Sequence, residues 1–188
     1  MTFTAKGEVR REALLDAVLR VLESDGPGAV THRAVATEAG VPLSAATYYF
    51  ATIDDLYVSA LKRAASAQAE LFRSLGESGI DGFARALYDF VYVHRGAAIA
   101  QYELMFLAMR RQSLRADAEL WYRALEQAID PQQLHPRRTR VASLAVDGLL
   151  LRMLWIGEPS TVPGVVDALR EITSATSASA PFPASART

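Results

Sequence analysis

The sequence contains no cysteine and only three histidines. The lack of cysteine excludes a disulfide scaffold, a cysteine-ligated zinc site and a thiol nucleophile. His32, His94 and His135 lie far apart in the sequence and form no His-x-x-x-His pattern, so we expect no metal site. No phosphate-binding glycine loop of the usual length is present, and we expect no cofactor.

An excess of positive charge is also missing. The 20 Lys and Arg residues stand against 21 Asp and Glu, which gives a formal net charge of −1. This balance excludes a polycation that binds nucleic acid by bulk electrostatics. If the protein binds DNA, it must do so through a small number of well-placed contacts.

Long hydrophobic runs are absent as well. The longest apolar stretch, Val141–Ile156, is interrupted by Asp147 and Arg152 and falls short of the ~20 residues of a membrane span. The start of the chain turns charged by Lys6, unlike a signal peptide. We therefore expect a cytoplasmic protein with no membrane contact.

The pattern that is present is helical throughout. Apolar residues recur at helical spacing, and no segment shows sustained strand alternation, so we predict an all-α fold. Thr52 is the predicted N-cap of a long helix with Asp54 and Asp55 in its first turn. The predicted helices span about residues 9–24, 32–39, 43–50, 53–75, 81–95, 97–111, 114–129, 137–156 and 162–173.

Two short helices near the N-terminus carry the most informative local signals. Thr31 is a predicted N-cap, and Val30 and Val35 occupy the two positions of a hydrophobic staple. Gly40 suits the left-handed position that ends a helix, and Pro42 can open the next one. Two short helices on a tight glycine turn form a helix-turn-helix, whose second helix enters the DNA major groove.

At these residues the sequence resembles the TetR family of bacterial transcriptional regulators. The resemblance is specific over residues 10–60 and extends over the rest in helix number and length. Ile53 stands where the family often has a lysine, which removes an expected phosphate contact. The matching pattern is Thr31-x-Arg33-x-Val35-Ala36-x-x-Ala39-Gly40-Val41, an aromatic-rich helix ending at Phe50, and Asp55-Leu56.

The resemblance implies an N-terminal three-helix helix-turn-helix DNA-binding domain (residues 1–51) and a larger C-terminal helical domain for ligand binding and dimerisation (residues 52–173). The Ala-, Ser- and Pro-rich residues 174–188 are expected to form a disordered tail.

The second helix of the motif has no lysine or arginine, so it must recognise DNA by other groups. Hydroxyl groups can bond phosphates or base edges, Leu43 and Ala45 can pack on thymine methyls, and basic residues can flank the helix. Arg10 and Arg11 could instead be only a solvated face, and Tyr49 could belong to the core. The predicted DNA-binding residues are Lys6, Arg10, Arg11, Thr31, His32, Arg33, Pro42, Leu43, Ser44, Ala45, Thr47, Tyr48 and Tyr49.

The segment 141–156 is apolar on two faces, so both faces must be covered. One face can pack on its own chain and the other on a second copy. In the TetR family the last two helices pair across a two-fold axis, which implies a homodimer; a monomeric core helix is the alternative. The predicted interface residues are Val141, Leu144, Gly148, Leu151, Trp155, Val165, Val166 and Leu169.

Aromatic and polar residues in the middle helices suggest a pocket for a small, largely apolar molecule. Aromatic residues at helical spacing could equally be plain core. The predicted pocket residues are Tyr88, Tyr92, His94, Tyr102, Glu103, Phe106, Trp121 and Arg152.

These features predict a ligand-responsive transcriptional repressor. Its expected partners are palindromic double-stranded operator DNA, a small-molecule effector and a second copy of the chain. Asp54 and Asp55 diverge around a helix and cannot act as an acid/base pair, so we expect no enzyme. The alternatives are an all-α binding protein or enzyme that keeps the helix-turn-helix as structure only, and an activator or DNA-organising protein.

Overall fold

The computed structural model describes residues 5–75, 79–130, 132 and 134–177. These residues form helices joined by short connections and contain no strand, which confirms the all-α prediction. No helix among them is both long and apolar enough to cross a membrane. The α-helices are α1 (Ala5–Asp25), α2 (His32–Glu38), α3 (Leu43–Tyr49), α4 (Ile53–Ser74), α5 (Gly79–Tyr92), α6 (Arg95–Ala108), α7 (Arg115–Ile129), α8 (Pro136–Ile156) and α9 (Val162–Ser177).

The observed helix ends differ from the predicted ones by a few residues. A short 3-10 helix at Gln112–Leu114 follows α6 and precedes α7. Helix α9 continues to Ser177, beyond the predicted end at Thr173, because the hydroxyls of Thr173 and Ser174 donate to carbonyls of the preceding turn and fit within the helix. The remainder of the predicted tail, residues 178–188, lies outside the described residues.

The chain divides into two compact units. The first contains the chain up to Leu71 together with Tyr92–Trp121, and the second contains Phe72–Val91 and the chain from Tyr122 onward. The first unit thus joins the three N-terminal helices with most of α4, with α6 and with the start of α7. The functional division after residue 51 is a different boundary and stays a prediction.

The first three helices share a small apolar core. Leu14 and Val18 of α1 pack with Val35 of α2 and Ala46 of α3, and all four side chains are fully buried. Phe50, which follows α3, closes this core. Burying a side chain of this size stabilises the fold by about 1.5–3 kcal/mol. The buried face of α3 therefore fixes which face the helix turns outward.

Helices α1 and α6 approach each other closely at Gly96. A Cβ atom at this position would lie 2.9 Å from the backbone oxygen of Leu19 and 2.9 Å from a carboxylate oxygen of Glu23. Since real Cβ atoms do not come this close to a backbone atom, the crossing requires glycine. The two helices thus meet backbone to backbone.

Two glutamine side chains are buried in the first unit. Gln101 of α6 is 1% exposed, and Gln68 of α4 is also buried. Within the described residues, neither amide atom of Gln101 has a hydrogen-bond partner, nor does the amide nitrogen of Gln68. A buried polar group without a partner costs about 1–3 kcal/mol.

The second unit has an aromatic core and a well-packed pair of C-terminal helices. The ring of Phe72 meets those of Phe83 and Phe90 edge to face, each at a centroid distance of 6.0 Å. Helix α8 packs against α9. The hydroxyl of Tyr122 on α7 donates to Asp147 of α8 over 2.9 Å, and burial followed by the Asp147 charge raises the pKa of Tyr122 to about 12.

Candidate functional site

The turn between α2 and α3 has the geometry that its sequence predicts. The Thr31 hydroxyl accepts from the backbone N–H of Ala34 over 3.1 Å and caps α2. Gly40 adopts φ = 66°, a left-handed conformation that favours glycine. The N–H of Val41 then donates to the carbonyl of Ala36 over 3.0 Å, which closes the turn. The two short helices therefore form a helix-turn-helix.

Helix α3 presents a polar face to solvent. Tyr48 is 72% exposed, and Leu43, Ser44 and Thr47 are exposed beside it. The Thr47 hydroxyl donates within the helix, to the carbonyl of Ser44 over 3.2 Å, so its lone pairs face outward. Tyr49 is half-buried against the small core. This face offers hydroxyl groups and an aliphatic side chain to a partner.

Arg10 extends this face beyond the helix. It lies with Pro42, Ser44, Ala45, Tyr48 and Tyr49 around one shallow concave surface. The rings of Tyr48 and Tyr49 meet edge to face at a centroid distance of 5.1 Å. A guanidinium group is thereby placed next to the exposed hydroxyls, where it can pair with a phosphate.

The basic residues near α3 fall into two groups. Lys6, Arg10 and Arg33 are exposed, and within the described residues none of them has an ion-pair partner. Arg11, in contrast, is half-buried: it donates to Glu12 over 3.0 Å and lies over the ring of Phe50 at 5.5 Å. Arg11 thus holds α1 to the end of α3.

His32 has a similar internal contact. Its Nε2 atom lies 3.0 Å from the carbonyl oxygen of Phe50, which links the start of α2 to the end of α3. Thr31 and Pro42, also predicted to bind DNA, are exposed, and Ala45 is half-buried. Of the predicted DNA-binding residues, Arg10, Pro42, Ser44, Ala45, Tyr48 and Tyr49 thus share one surface, whereas Arg11 and His32 have structural contacts. The DNA-binding role of the whole set stays a prediction.

The start of α4 is fixed by a reciprocal cap. The N–H of Asp55 donates to the Thr52 hydroxyl over 3.0 Å, and that hydroxyl donates to the Asp55 carboxylate over 2.7 Å. Thr52 therefore caps α4, as predicted. Because α4 begins just after α3, its cap and its contacts determine where α3 is held.

Three polar contacts, which sequence reasoning missed, join α4 to later segments of the first unit. Asp54 pairs with Arg111, and Lys62 pairs with Asp117 over 3.0 Å. The hydroxyl of Tyr57 donates to Glu103 of α6 over 3.2 Å. Burial, followed by the nearby Glu103 charge, raises the pKa of Tyr57 above its ordinary value. The partners lie far apart in the chain, so no local spacing could indicate them.

The predicted pocket residues have mixed environments. In the first unit Trp121 and Tyr102 are buried, Glu103 and Tyr92 are half-buried, and Phe106 is 57% exposed. His94, at the start of α6, faces solvent rather than inward.

In the second unit Tyr88 is half-buried, whereas Arg152 is exposed and lies 3.5 Å from Glu158. The second unit also has an apolar cavity, lined by residues of α5, α7, α8 and α9, and none of the eight predicted residues is among those that line it. Their role in a pocket stays a prediction.

The predicted dimer residues of α8 and α9 differ in exposure. On α8, the residues Val141, Leu144, Gly148, Leu151 and Trp155 are exposed and form one continuous stripe, called here the α8 stripe. Trp155 is 84% exposed. A large exposed apolar stripe of this kind indicates an interaction surface.

The α9 residues behave differently. Val165, Val166 and Leu169 are already buried within their own unit, where α9 packs on α8, so they are core residues in a single chain. The outward face of α9 instead carries Asp167 and Arg170. The apolar pattern of α9 thus arises from packing within the chain.

The described residues contain no group of three His, Asp or Glu side chains placed to hold a metal ion.

Comparison with known proteins gives one consistent result. The family model "Tetracyclin repressor-like, C-terminal domain" matches residues 78–175. A solved member of the TetR family from Streptomyces coelicolor A3 is 31% identical, covers 87% of this chain and 97% of its own, and has a TM-score of 0.71. No curated protein matches the sequence.

A second relative is the multidrug binding protein EbrR. Its complex with ethidium is 31% identical, covers 87% of this chain and 98% of its own, and has a TM-score of 0.65. Its complex with imidazole is 30% identical, covers 94% of this chain and 97% of its own, and has a TM-score of 0.64.

The family model covers the C-terminal part of the chain, and the helix-turn-helix pattern covers the N-terminal part. Relatives of about 31% identity span nearly the whole of both chains. The chain belongs to the TetR family of transcriptional regulators.

Proposed function

We propose that the protein is a ligand-responsive transcriptional repressor. It binds a palindromic operator as a homodimer and releases it when a small, largely apolar molecule binds. The observation that carries this proposal is the exposed face of α3, where Ser44 and Tyr48 lie beside Arg10, which has no ion-pair partner among the described residues. Thr47 is exposed on the same helix.

The surface of α3 suits DNA better than it suits another protein. Hydroxyl groups bond phosphates and base edges, and Leu43 can pack on a thymine methyl group. Lys6, Arg10 and Arg33 supply positive charge at the flanks of the helix. These three residues can provide phosphate contacts even though the chain has a net charge of −1.

The α8 stripe supports a homodimer. Its tryptophan, Trp155, is of a residue type enriched at interface hot spots, and it lies on an exposed apolar stripe. Two recognition helices must also meet operator half-sites ~34–36 Å apart, which requires two chains. Residues 1–51 then serve DNA binding, and residues 52–173 serve dimerisation and ligand binding.

The contacts of α4 support a switch. The Asp54–Arg111, Tyr57–Glu103 and Lys62–Asp117 pairs tie the helix that follows α3 to α6 and α7. A ligand that moves these segments would also move α4 and change the spacing of the two recognition helices. For an effective switch, the ligand must prefer the released state by ~1–3 kcal/mol or more. The relative EbrR, solved with ethidium, is a multidrug binding protein.

Footprinting of the DNA upstream of the gene tests DNA binding directly. We expect protection of a palindromic site, and we expect the Tyr48→Ala variant to need about 10- to 100-fold more protein for the same protection. No protection at any salt concentration would favour the alternative, in which the helix-turn-helix is only structural. A transcription assay on the same promoter separates a repressor from an activator.

A further inference from the structure

The second unit contains a cavity of about 200 Å³, called here the distal cavity. Its walls come from the end of α4 and from α5, α7, α8 and α9. Its lining residues include Leu75, Phe83, Ala142, Val146, Leu169 and Thr173.

The lining is almost wholly apolar. Thr173 is the single polar side chain among the described lining residues, and its hydroxyl already donates to the carbonyls of Leu169 and Arg170, each at 3.0 Å. No acidic or basic residue is among the lining residues of the described chain, so a charged ligand group would find no charged partner among them, which is costly in an apolar site.

The volume limits the size of the ligand. An apolar cavity of about 150 Å³ engineered in another protein stays dry and binds benzene. A cavity of about 200 Å³ therefore suits a benzene ring with one to three small substituents. Ethidium, which EbrR binds, is a much larger polycyclic cation and fits neither the volume nor the charge of this cavity.

The distal cavity lies directly behind the α8 stripe. Ala142 and Val146 of α8 line the cavity, whereas Val141 and Leu144 of the same helix are exposed on the stripe. Leu169 of α9, which packs on α8, lines the cavity as well. A ligand that fills the cavity therefore contacts the helix that carries the proposed dimer surface.

We propose that the distal cavity is an effector site for small, neutral, monocyclic aromatic molecules, and that its occupancy alters operator binding through α8. The regulatory part of this proposal rests on the proposed repressor function. The binding part does not, since it concerns the second unit alone.

Binding is tested on the full chain without DNA, with toluene as the neutral probe and benzylammonium as its charged counterpart. We expect toluene to raise the unfolding temperature in a saturable way and benzylammonium to have no effect. The Ala142→Leu variant adds three carbon atoms inside the cavity and should weaken toluene binding by about tenfold or more. Ala142→Val is a milder variant that should weaken it less.

Ala145→Leu is the matched control, because it makes the same change on the same helix at a residue that does not line the cavity. This variant should bind toluene as the parent protein does. The binding proposal is overturned if the parent does not bind toluene, if benzylammonium binds equally well, or if Ala142→Leu binds toluene unchanged.

Regulation is tested with operator DNA. We expect toluene to lower the operator affinity of the parent and of Ala145→Leu, but not that of Ala142→Leu. Toluene binding with no change in operator affinity overturns the regulatory part. If toluene binds but no DNA is bound under any condition, the repressor function fails while the cavity assignment holds.

Discussion

The guanidinium group of Arg111 donates to both carboxylate oxygens of Asp54, over 2.6 and 2.7 Å. Asp54 lies in the first turn of α4, only a few residues after α3 ends, and Arg111 lies between α6 and α7. The pair therefore fixes the helix that follows the recognition helix to a segment 57 residues further along the chain.

The first prediction concerns the pH dependence of this pair. The hydrogen bonds from Arg111 lower the pKa of Asp54 below its ordinary value of 3.8. The pair therefore stabilises the folded state fully above pH 3.8, and its contribution is lost as the pH falls through the lowered pKa. We expect Asp54→Asn to lower the unfolding temperature at pH 5 to 7 and to leave it unchanged at the lowest pH. Thermal unfolding across this range measures the difference.

Asp167→Asn is the control for this experiment, because Asp167 pairs with Arg170 on the surface of α9 at 3.4 Å. An exposed pair of this kind contributes little. If Asp54→Asn and Asp167→Asn have the same small effect at every pH, the Asp54–Arg111 pair does not stabilise α4.

The second prediction concerns recognition by α3. Tyr48→Ala removes an aromatic side chain that is 72% exposed and should weaken operator binding by about 10- to 100-fold, since both half-sites lose a contact. Tyr48→Phe removes only the hydroxyl and distinguishes a hydrogen bond from a ring contact. Ser66→Ala, at an exposed position of α4, serves as the control. Unchanged affinity in both Tyr48→Ala and Thr47→Ala would contradict the assignment of the recognition helix.

The third prediction concerns salt. Lys6, Arg10 and Arg33 are the exposed cations near α3 without an ion-pair partner in the described chain, and a dimer has two sets of them. At ~0.9 per neutralised phosphate, the logarithm of the affinity should fall with the logarithm of the salt concentration at a slope of about −5. Arg33→Gln should reduce the slope by about 2, and Arg138→Gln should not change it. A slope near −10 is inconsistent with this surface.

The fourth prediction concerns the dimer. Trp155→Glu places a charge at the C-terminal end of the α8 stripe, on its most exposed residue, and should weaken dimerisation by about 30-fold or more, as expected at a hot spot. Analytical ultracentrifugation measures the effect, and operator binding should fall with it. Val93→Glu introduces the same charge at an exposed apolar residue outside the stripe and should leave the dimer intact. Equal effects of the two variants would refute this interface.

The fifth prediction concerns the buried amide of Gln101. Because neither of its polar atoms has a partner in the described chain, Gln101→Met should raise the free energy of unfolding by about 1 kcal/mol. Gln112→Met, at an exposed position, should change it little. Urea denaturation at one fixed protein concentration gives both values. A loss of stability in Gln101→Met would mean that the amide is hydrogen-bonded in solution.

The helix-turn-helix could be predicted in detail because each of its signals is local. Thr31 caps the helix that begins at the next residue by accepting from an N–H three residues away. Gly40 needs a positive φ at one position, and Phe50 closes a core made by the nearby helices. The apolar pattern of α8 likewise predicted an exposed stripe, since the chain has more apolar residues there than one packed face can hold.

The burial of the apolar α9 residues, the position of the predicted pocket residues and the ion pairs could not be predicted, because they depend on contacts between distant segments. Val165 and Leu169 form an apolar stripe that suits a dimer interface and a core equally well, and only the position of α8 decides. Trp121 illustrates the same ambiguity between pocket and core. Pairs such as Arg111 with Asp54 have no signature in the sequence at all.

The crossing at Gly96 has a mechanical consequence. Side chains change rotamer within nanoseconds, so a contact made by side chains can absorb a small displacement without transmitting it. At Gly96 the backbone of α6 lies directly against the backbone of α1 at Leu19, with the Glu23 carboxylate beside the same contact. A displacement of the α6 backbone at this point must therefore displace the backbone of α1 by a similar amount. Helix α1 carries Arg10 and supports α3.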